Sequence, residues 1–337
     1  MGSYYSPSEL DDKAHEIIKE AKAATIRDAE SYRDAVNAKY QTDYNNAGNT
    51  GTAPPAMMPI GPDEEKEFEG WLDTYFDWIP PAYADYTKPQ PEGFDSIISA
   101  CKSVETTFGQ SDGAIGNSDT SYINKAESEM GEWLGSLSEN LQNNFLVPFP
   151  VIASNHGKIA QMLRMAMEGT QNIYAGQKRD ISECADQTID ALKDVGGRDG
   201  GSESMGLTIL GALTSIAGAA LAIPSGGTSL AVTGVVLATI GAGTSIGGQL
   251  VPADQTLPLG GDTADDVISN MLDRMSDICT KVYDKEQDVC DVLSKNYDLL
   301  STLRQLANAK GESGPVVPLR PTIADSKDPT SGLTPRD

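Results

Sequence analysis

The chain has only two histidines in 337 residues, His15 and His156, and 25 Lys plus Arg against 49 Asp plus Glu. Each scarcity excludes something. Two histidines on separate segments supply no His-based metal cluster and no His-centred nucleophile relay. No GxSxG, no HExxH and no phosphate-cradling Gly loop after a strand takes their place, so neither an enzyme nor a cofactor is expected. The four cysteines, Cys101, Cys184, Cys279 and Cys290, form no CxxC pair and no Cys/His cluster, which removes the usual zinc arrangements. A formal net charge of -24 lacks the clustered cations that a phosphate backbone requires, so nucleic acid is set aside as a partner. The same deficit argues against adhesion to anionic lipid through a basic face. The opening "MGSYYSPSELDD" has no basic region followed by an apolar run. The expectation is therefore export without a cleaved leader, with the cytoplasm as the alternative.

The sharpest absence is local. Between Glu203 and Asp254 there is no Asp, Glu, Lys, Arg or His. Two apolar runs, Leu207 to Ile223 and Ser229 to Gly247, are separated by Pro224, Ser225, Gly226 and Gly227, a helix stop and turn signal. Arms of about 17 and 19 residues are marginal for a bilayer, which needs roughly 20. Gly211, Ser215 and Ala219 on one arm and Gly234, Ala238 and Gly241 on the other offer small faces for close helix approach. The stretch reads as an apolar helical hairpin with two possible solvents, protein interior or lipid. Gly196, Gly197, Gly200 and Gly201 before it and Gly260 and Gly261 after it read as hinges.

What surrounds it is helical. Ser6, Pro7 and Glu9 form a capping box with proline at the first helical position, and Leu10, Ala14, Ile17, Ala21, Ala24, Tyr32 and Ala35 continue an apolar stripe. Residues 45–62 are rich in Gly, Asn and Pro and read as a linker, followed by a block stopped by Pro80 and Pro81. Beyond Pro148 and Pro150, apolar or small residues recur at three and four from Ile159 through Leu163, Ala166, Ile173, Ile181, Cys184 and Thr188 to Val195. Past the uncharged stretch, Ile268, Met271, Met275, Ile278, Val282, Val289, Val292, Leu299, Leu303 and Leu306 keep the same spacing. The expected fold is all-α: an elongated bundle of long antiparallel helices with the apolar hairpin between the two longest. Its segments are a helix over 1–44, a linker over 45–62, a short helical segment over 63–92 and a helical hairpin over 93–195. They continue with the apolar hairpin over 196–261, a long helix over 262–310 and a disordered Pro-rich tail over 311–337.

Trp133, Leu134 and Gly135 lie between a helical segment and a long helix. This arrangement resembles the WXG family of helical-hairpin proteins exported by type VII secretion systems. The resemblance covers about residues 93–195 and implies that Trp133 and Gly135 sit in the hairpin turn. It also implies an export signal of the form Tyr-x-x-x-Asp/Glu near the end of the second helix, where Tyr174 stands. The sequence departs from the pattern at that point, because the residue four positions on is Lys178. Over residues 157–308 the order helix, apolar hairpin, helix is similar in architecture to α-helical pore-forming toxins of the haemolysin BL and cytolysin A type. Trp133 is also compatible with an ordinary core aromatic at a helix start.

Folding the two long helices about Ser229 brings Cys184 nearly level with Cys279, and folding about Trp133 brings Cys101 near the level of Cys290. Two disulfides are therefore geometrically possible, with four reduced thiols as the alternative. The function expected is a non-enzymatic exported helical protein whose shielded apolar hairpin meets membrane lipid or a helical protein partner, within a homo- or hetero-oligomer. The alternative is a structural or interaction protein in which the hairpin is permanent core or an oligomer interface.

Overall fold

The computed structural model describes residues 4–50, 62–108, 118–195, 204–205, 220–223, 233–236, 257–311, 313–319 and 334–335. The fold is all-α. Its helices are α1 (Pro7–Thr50), α2 (Pro62–Tyr75), α3 (Ile79–Ala84), α4 (Asp95–Phe108), α5 (Ser118–Met130), α6 (Ser136–Leu141), α7 (Phe149–Asp194) and α8 (Ala264–Lys310). Among the described residues, extended structure is limited to three antiparallel pairings of two to four residues. The chain divides into two compact units, and α7 and α8 each contribute to both.

The first unit contains residues 1–90, 173–212 and 248–283. It starts at a capping box: the Ser6 N–H donates to Glu9 Oε2 at 2.7 Å and the Glu9 N–H donates to Ser6 Oγ at 3.3 Å. Two of the N–H groups left unpaired at a helix start are satisfied this way. Leu10, Ala14, Ile17, Ala21 and Ala24 of α1 are buried, as are Leu72 and Phe76, Ile79 and Tyr83 of α3, and Ile181, Leu192, Val267, Met271 and Ile278 of α7 and α8. Fully burying each of the larger apolar side chains stabilises by about 1.5–3 kcal/mol. The alanines of α1 let α3 approach closely. No described residue of α1 beyond Ala24 is buried, so the expected stripe stops short of Tyr32 and Ala35.

In this unit α8 runs back along α7. The Ala264 N–H at its start donates to Asp28, while the neighbouring Arg27 donates to the Leu192 and Val195 carbonyls at the end of α7. Further along, the Tyr86 hydroxyl donates to the Met275 carbonyl.

The second unit contains residues 91–172, 213–247 and 284–337. Here α4 lies antiparallel to α7. Gln171 donates to Asp95, and Arg164 donates to Glu105 at 2.6 Å and to Glu168 at 2.8 Å. Asp95 and Gln171 are equidistant in sequence from Trp133, so this hairpin folds about the Trp-x-Gly turn. Buried Asn296 of α8 donates to Met162 Sδ of α7 at 3.0 Å, and that pair is equidistant from Ser229.

Several expected boundaries change. α1 continues to Thr50, through part of the expected linker, because Asn and Gly in its last turns are weak helix formers rather than breakers. Pro80 and Pro81 open α3 instead of stopping a helix, since the first turn needs no proline N–H. The tail is not disordered throughout. Gly311, at φ +67°, ends α8, and residues 313–315 are buried against the start of α7. Asn155 donates to the Pro315 carbonyl at 2.7 Å, His156 to the Val316 carbonyl at 2.9 Å and Ser313 to the Asn144 carbonyl at 2.8 Å. Thr334 and Pro335 pair with Leu134 and Trp133. Within the uncharged stretch the ten described residues form paired extended segments, not helix. Ala220–Ile223 pairs with Thr233–Val236, from Ile223 opposite Thr233 to Ala220 opposite Val236. β-branched Ile223, Thr233, Val235 and Val236 favour that pleated pairing.

Candidate functional site

Trp133 and Gly135 occupy the turn between α5 and α6. Gly135 has φ +114°, a backbone conformation that a side chain would strain. Ser138, fully buried, donates to the Met130 and Trp133 carbonyls, and Gln142 also donates to Met130, which closes the turn. Trp133 is partly exposed and is not a core aromatic.

Tyr174 belongs to the other unit. Four residues on, where the family's signal has an acid, Lys178 is buried. Its ammonium donates to the Thr87 carbonyl and to Gln90 Oε1 and lies 5.6 Å from the centre of the Tyr4 ring. This position is committed to packing. Tyr5 and Glu9, which match the signal's spacing at the opposite end of the chain, are committed too. Glu9 completes the α1 cap, and the Tyr5 hydroxyl donates to Asp186, which also pairs with Lys13 at 3.0 Å. That bond to Asp186 raises the Tyr5 pKa, and the same carboxylate raises that of Lys13.

The base of the uncharged stretch is closed. Ser204 and Met205 pair with Pro258 and Leu257. Leu259 is buried, the Gly260 carbonyl accepts from Asn270 at 2.9 Å, and Thr263 and Asp266 form a reciprocal cap on α8. Gly261 is a close-approach glycine, because a Cβ there would lie 2.4 Å from Asp266 Cβ. Gly260 and Gly261 therefore sit in a bonded, tightly packed base, which differs from the free hinge expected. Gly196, Gly197, Gly200 and Gly201, and the turn Pro224, Ser225, Gly226 and Gly227, lie outside the described residues.

All four cysteines are free. Cys184 and Cys279 both come to Tyr86, as the fold about Ser229 implies, but they are not bonded to each other: Cys279 Sγ donates to the Tyr86 hydroxyl at 3.4 Å. Tyr83 faces Cys184 and Thr188 from α3. Burial pushes the Cys184 thiol up to about 12, with the Arg274 guanidinium opposing the rise. A thiol held protonated is a poor nucleophile and a poor partner for oxidation. Cys101 is half-buried near Glu105 and Arg164, its thiol also raised by burial, and Cys290 is exposed. Among the described residues no three His, Cys, Asp or Glu side chains converge on a possible metal position.

Sequence reasoning missed two features. The first is a buried polar layer in the first unit, where Arg274, Asp180 and Thr188 are fully inaccessible beside Cys184. The second is a group of exposed aromatics, Trp71 and Tyr75 on α2 and Trp78 in the turn that follows, which was legible at helical spacing together with half-buried Phe68. No family model matches the chain, and no curated protein or solved structure is significantly similar to it.

Proposed function

We propose that this chain is a non-enzymatic helical protein of the WXG type, exported by a type VII route, whose shielded apolar hairpin, with arms at 207–223 and 229–247, contacts a membrane or a helical partner. One observation carries the reading: the uncharged stretch leaves the helices at a closed, capped base. A loop gathered at one point by paired strands and a fixed helix start can change its surroundings while the long helices keep their packing. The Trp-x-Gly turn between antiparallel helices supports the export half of the proposal. The antiparallel pairing at 220–223 and 233–236 favours a second reading, in which the loop is a packed connector or an oligomer interface. Among the described residues no helix is long and apolar enough to cross a membrane.

Release of dye from phosphatidylcholine/phosphatidylglycerol vesicles by the purified protein separates these readings. The membrane reading expects release that is lost when residues 206–248 are replaced by a Gly/Ser linker. Absence of release and of co-flotation between pH 4 and 8 refutes it. Export is tested by comparing culture supernatant and lysate with and without the type VII ATPase. Secretion that persists without the ATPase overturns that half.

A further inference from the structure

The strap at residues 313–319 is a preformed arm. Within it the Gly314 N–H donates to the Val317 carbonyl at 2.9 Å and the Leu319 N–H donates to Ser313 Oγ at 2.9 Å, so its turn is closed without help from the helices. Its contacts with the second unit are specific. Asn155 donates to the Pro315 carbonyl, His156 to the Val316 carbonyl and the Ser313 hydroxyl to the Asn144 carbonyl, and Ser313, Gly314 and Pro315 are buried. Further along the same tail, Thr334 and Pro335 pair with Leu134 and Trp133 of that unit.

Only Gly311 and Glu312 separate this arm from the last residue of α8. Gly311, at φ +67°, turns the chain back, so that Gly314 lies beside Ala307 and Arg304 in the final turns of the same helix. That one backbone conformation decides where the arm goes. With the φ of a regular helix, about -63°, α8 continues past Lys310 and carries the arm away from its own groove. Nothing lies within 4 Å of a Cβ built at Gly311, so a side chain there acts through the backbone and not through packing.

We infer that the strap is an exchangeable arm: with Gly311 as the hinge, residues 313–319 of one copy fill the groove of a second copy, giving a reciprocal, two-fold symmetric dimer. The structure names the occupant, because the groove already holds this segment and a second copy supplies it with the same donors and acceptors. Those bonds are common to the closed monomer and the exchanged dimer, so they cancel between the two. What remains is the hinge and the concentration. The tethered strap competes for its own groove at a local concentration of about millimolar, and a short hinge under strain tips the balance toward exchange. Glycine, which accepts a positive φ without strain, holds the wild-type chain on the closed side. The inference rests neither on export nor on the apolar hairpin.

Sedimentation velocity of the full chain between 10 and 500 µM tests this, in 150 mM NaCl with a reductant that keeps exposed Cys290 from cross-linking copies. The expected result is a dimer dissociation constant at least tenfold lower for Gly311→Ala than for the wild-type chain, because alanine resists a positive φ and favours the continued helix. Inserting Gly-Ser-Gly after Glu312 in the alanine variant lets the arm turn back without that φ, and it should abolish the gain. An interface elsewhere on the surface is indifferent to hinge length, so a gain that survives the insertion overturns the proposal. An alanine variant that dimerises no better than the wild-type chain overturns it as well. Dimerisation of the alanine variant that persists after deletion of residues 312–337 does the same. The insertion variant keeps every strap residue, so a fold defect in the deleted chain does not decide the outcome.

Discussion

At the residue scale, the positions that decide most are those whose chemistry and environment disagree. Cys184 is a thiol with no exposure, surrounded by Tyr83, Tyr86, Thr188 and Arg274, and burial raises its pKa to about 12. Burial also raises Tyr83 and Tyr86. Each of these groups is neutral when protonated, so a raised folded pKa means that the folded state holds its proton more tightly. Stability from Cys184 is complete below the free thiol's ordinary pKa, near 8.5–9, and is lost as pH rises through the folded value. The expected outcome is a melting temperature that is flat to about pH 8.5 and falls between pH 9 and 12. In a Cys101→Ala background, which removes the other thiol that burial raises, Cys184→Ala should move the onset up toward pH 10, where tyrosines begin to ionise. Thermal melts by circular dichroism at half-unit steps check this, and an unchanged onset in the variant shows that the thiol is not the group responsible.

At the element scale, the strap formed by residues 313–319 is the feature whose removal has the clearest consequence. Asn155 is fully buried, and its amide donates to the Pro315 carbonyl. Truncation after Gly311 removes the bonds that Asn155, His156 and the Asn144 carbonyl make with this strap and should cost about 0.5–1.5 kcal/mol for each bond lost, measured by urea denaturation. A truncated chain as stable as the full one shows that the strap contributes nothing to the fold. The strap was illegible in the sequence because Pro-rich, aperiodic composition reports the absence of a helix, and a buried asparagine 160 residues away supplies what orders it. Periodicity did carry the helices and both fold-back centres, since Trp133 and Ser229 each lie midway between bonded residues on opposite helices. It failed where one side chain overrides the pattern. Lys178 occupies a place where an acid would suit the family resemblance, and its bonds to Thr87 and Gln90 and its place over the Tyr4 ring are what suit a lysine there.

At the scale of the whole molecule, charge is the dominant asymmetry: 49 acids against 25 strong bases. Specific pairs such as Lys13 with Asp186 and Arg164 with Glu105 oppose the repulsion locally. Pairs that are largely exposed are worth about 0–1 kcal/mol each, so a few of them do not offset an excess of 24 negative charges. With 49 acids against 25 strong bases, at least 24 carboxylates have no cation of their own, and they repel one another over distances comparable to the Debye length, about 30 Å at 0.01 M salt and about 8 Å at 0.15 M. Raising salt over that range screens the diffuse repulsion more than it weakens the short pairs, in which Arg164 and Glu105 approach to 2.6 Å and are mostly buried. The folded state, being the compact one, carries more of the repulsion than the unfolded chain and gains more from its removal. The melting temperature should therefore rise by a few degrees between 10 and 150 mM NaCl and level off beyond, as read by differential scanning fluorimetry at pH 7.5. A fall over the same range would mean that the ion pairs outweigh the net charge. In that case Arg164→Met should abolish the salt dependence, whereas under net repulsion the slope survives that substitution.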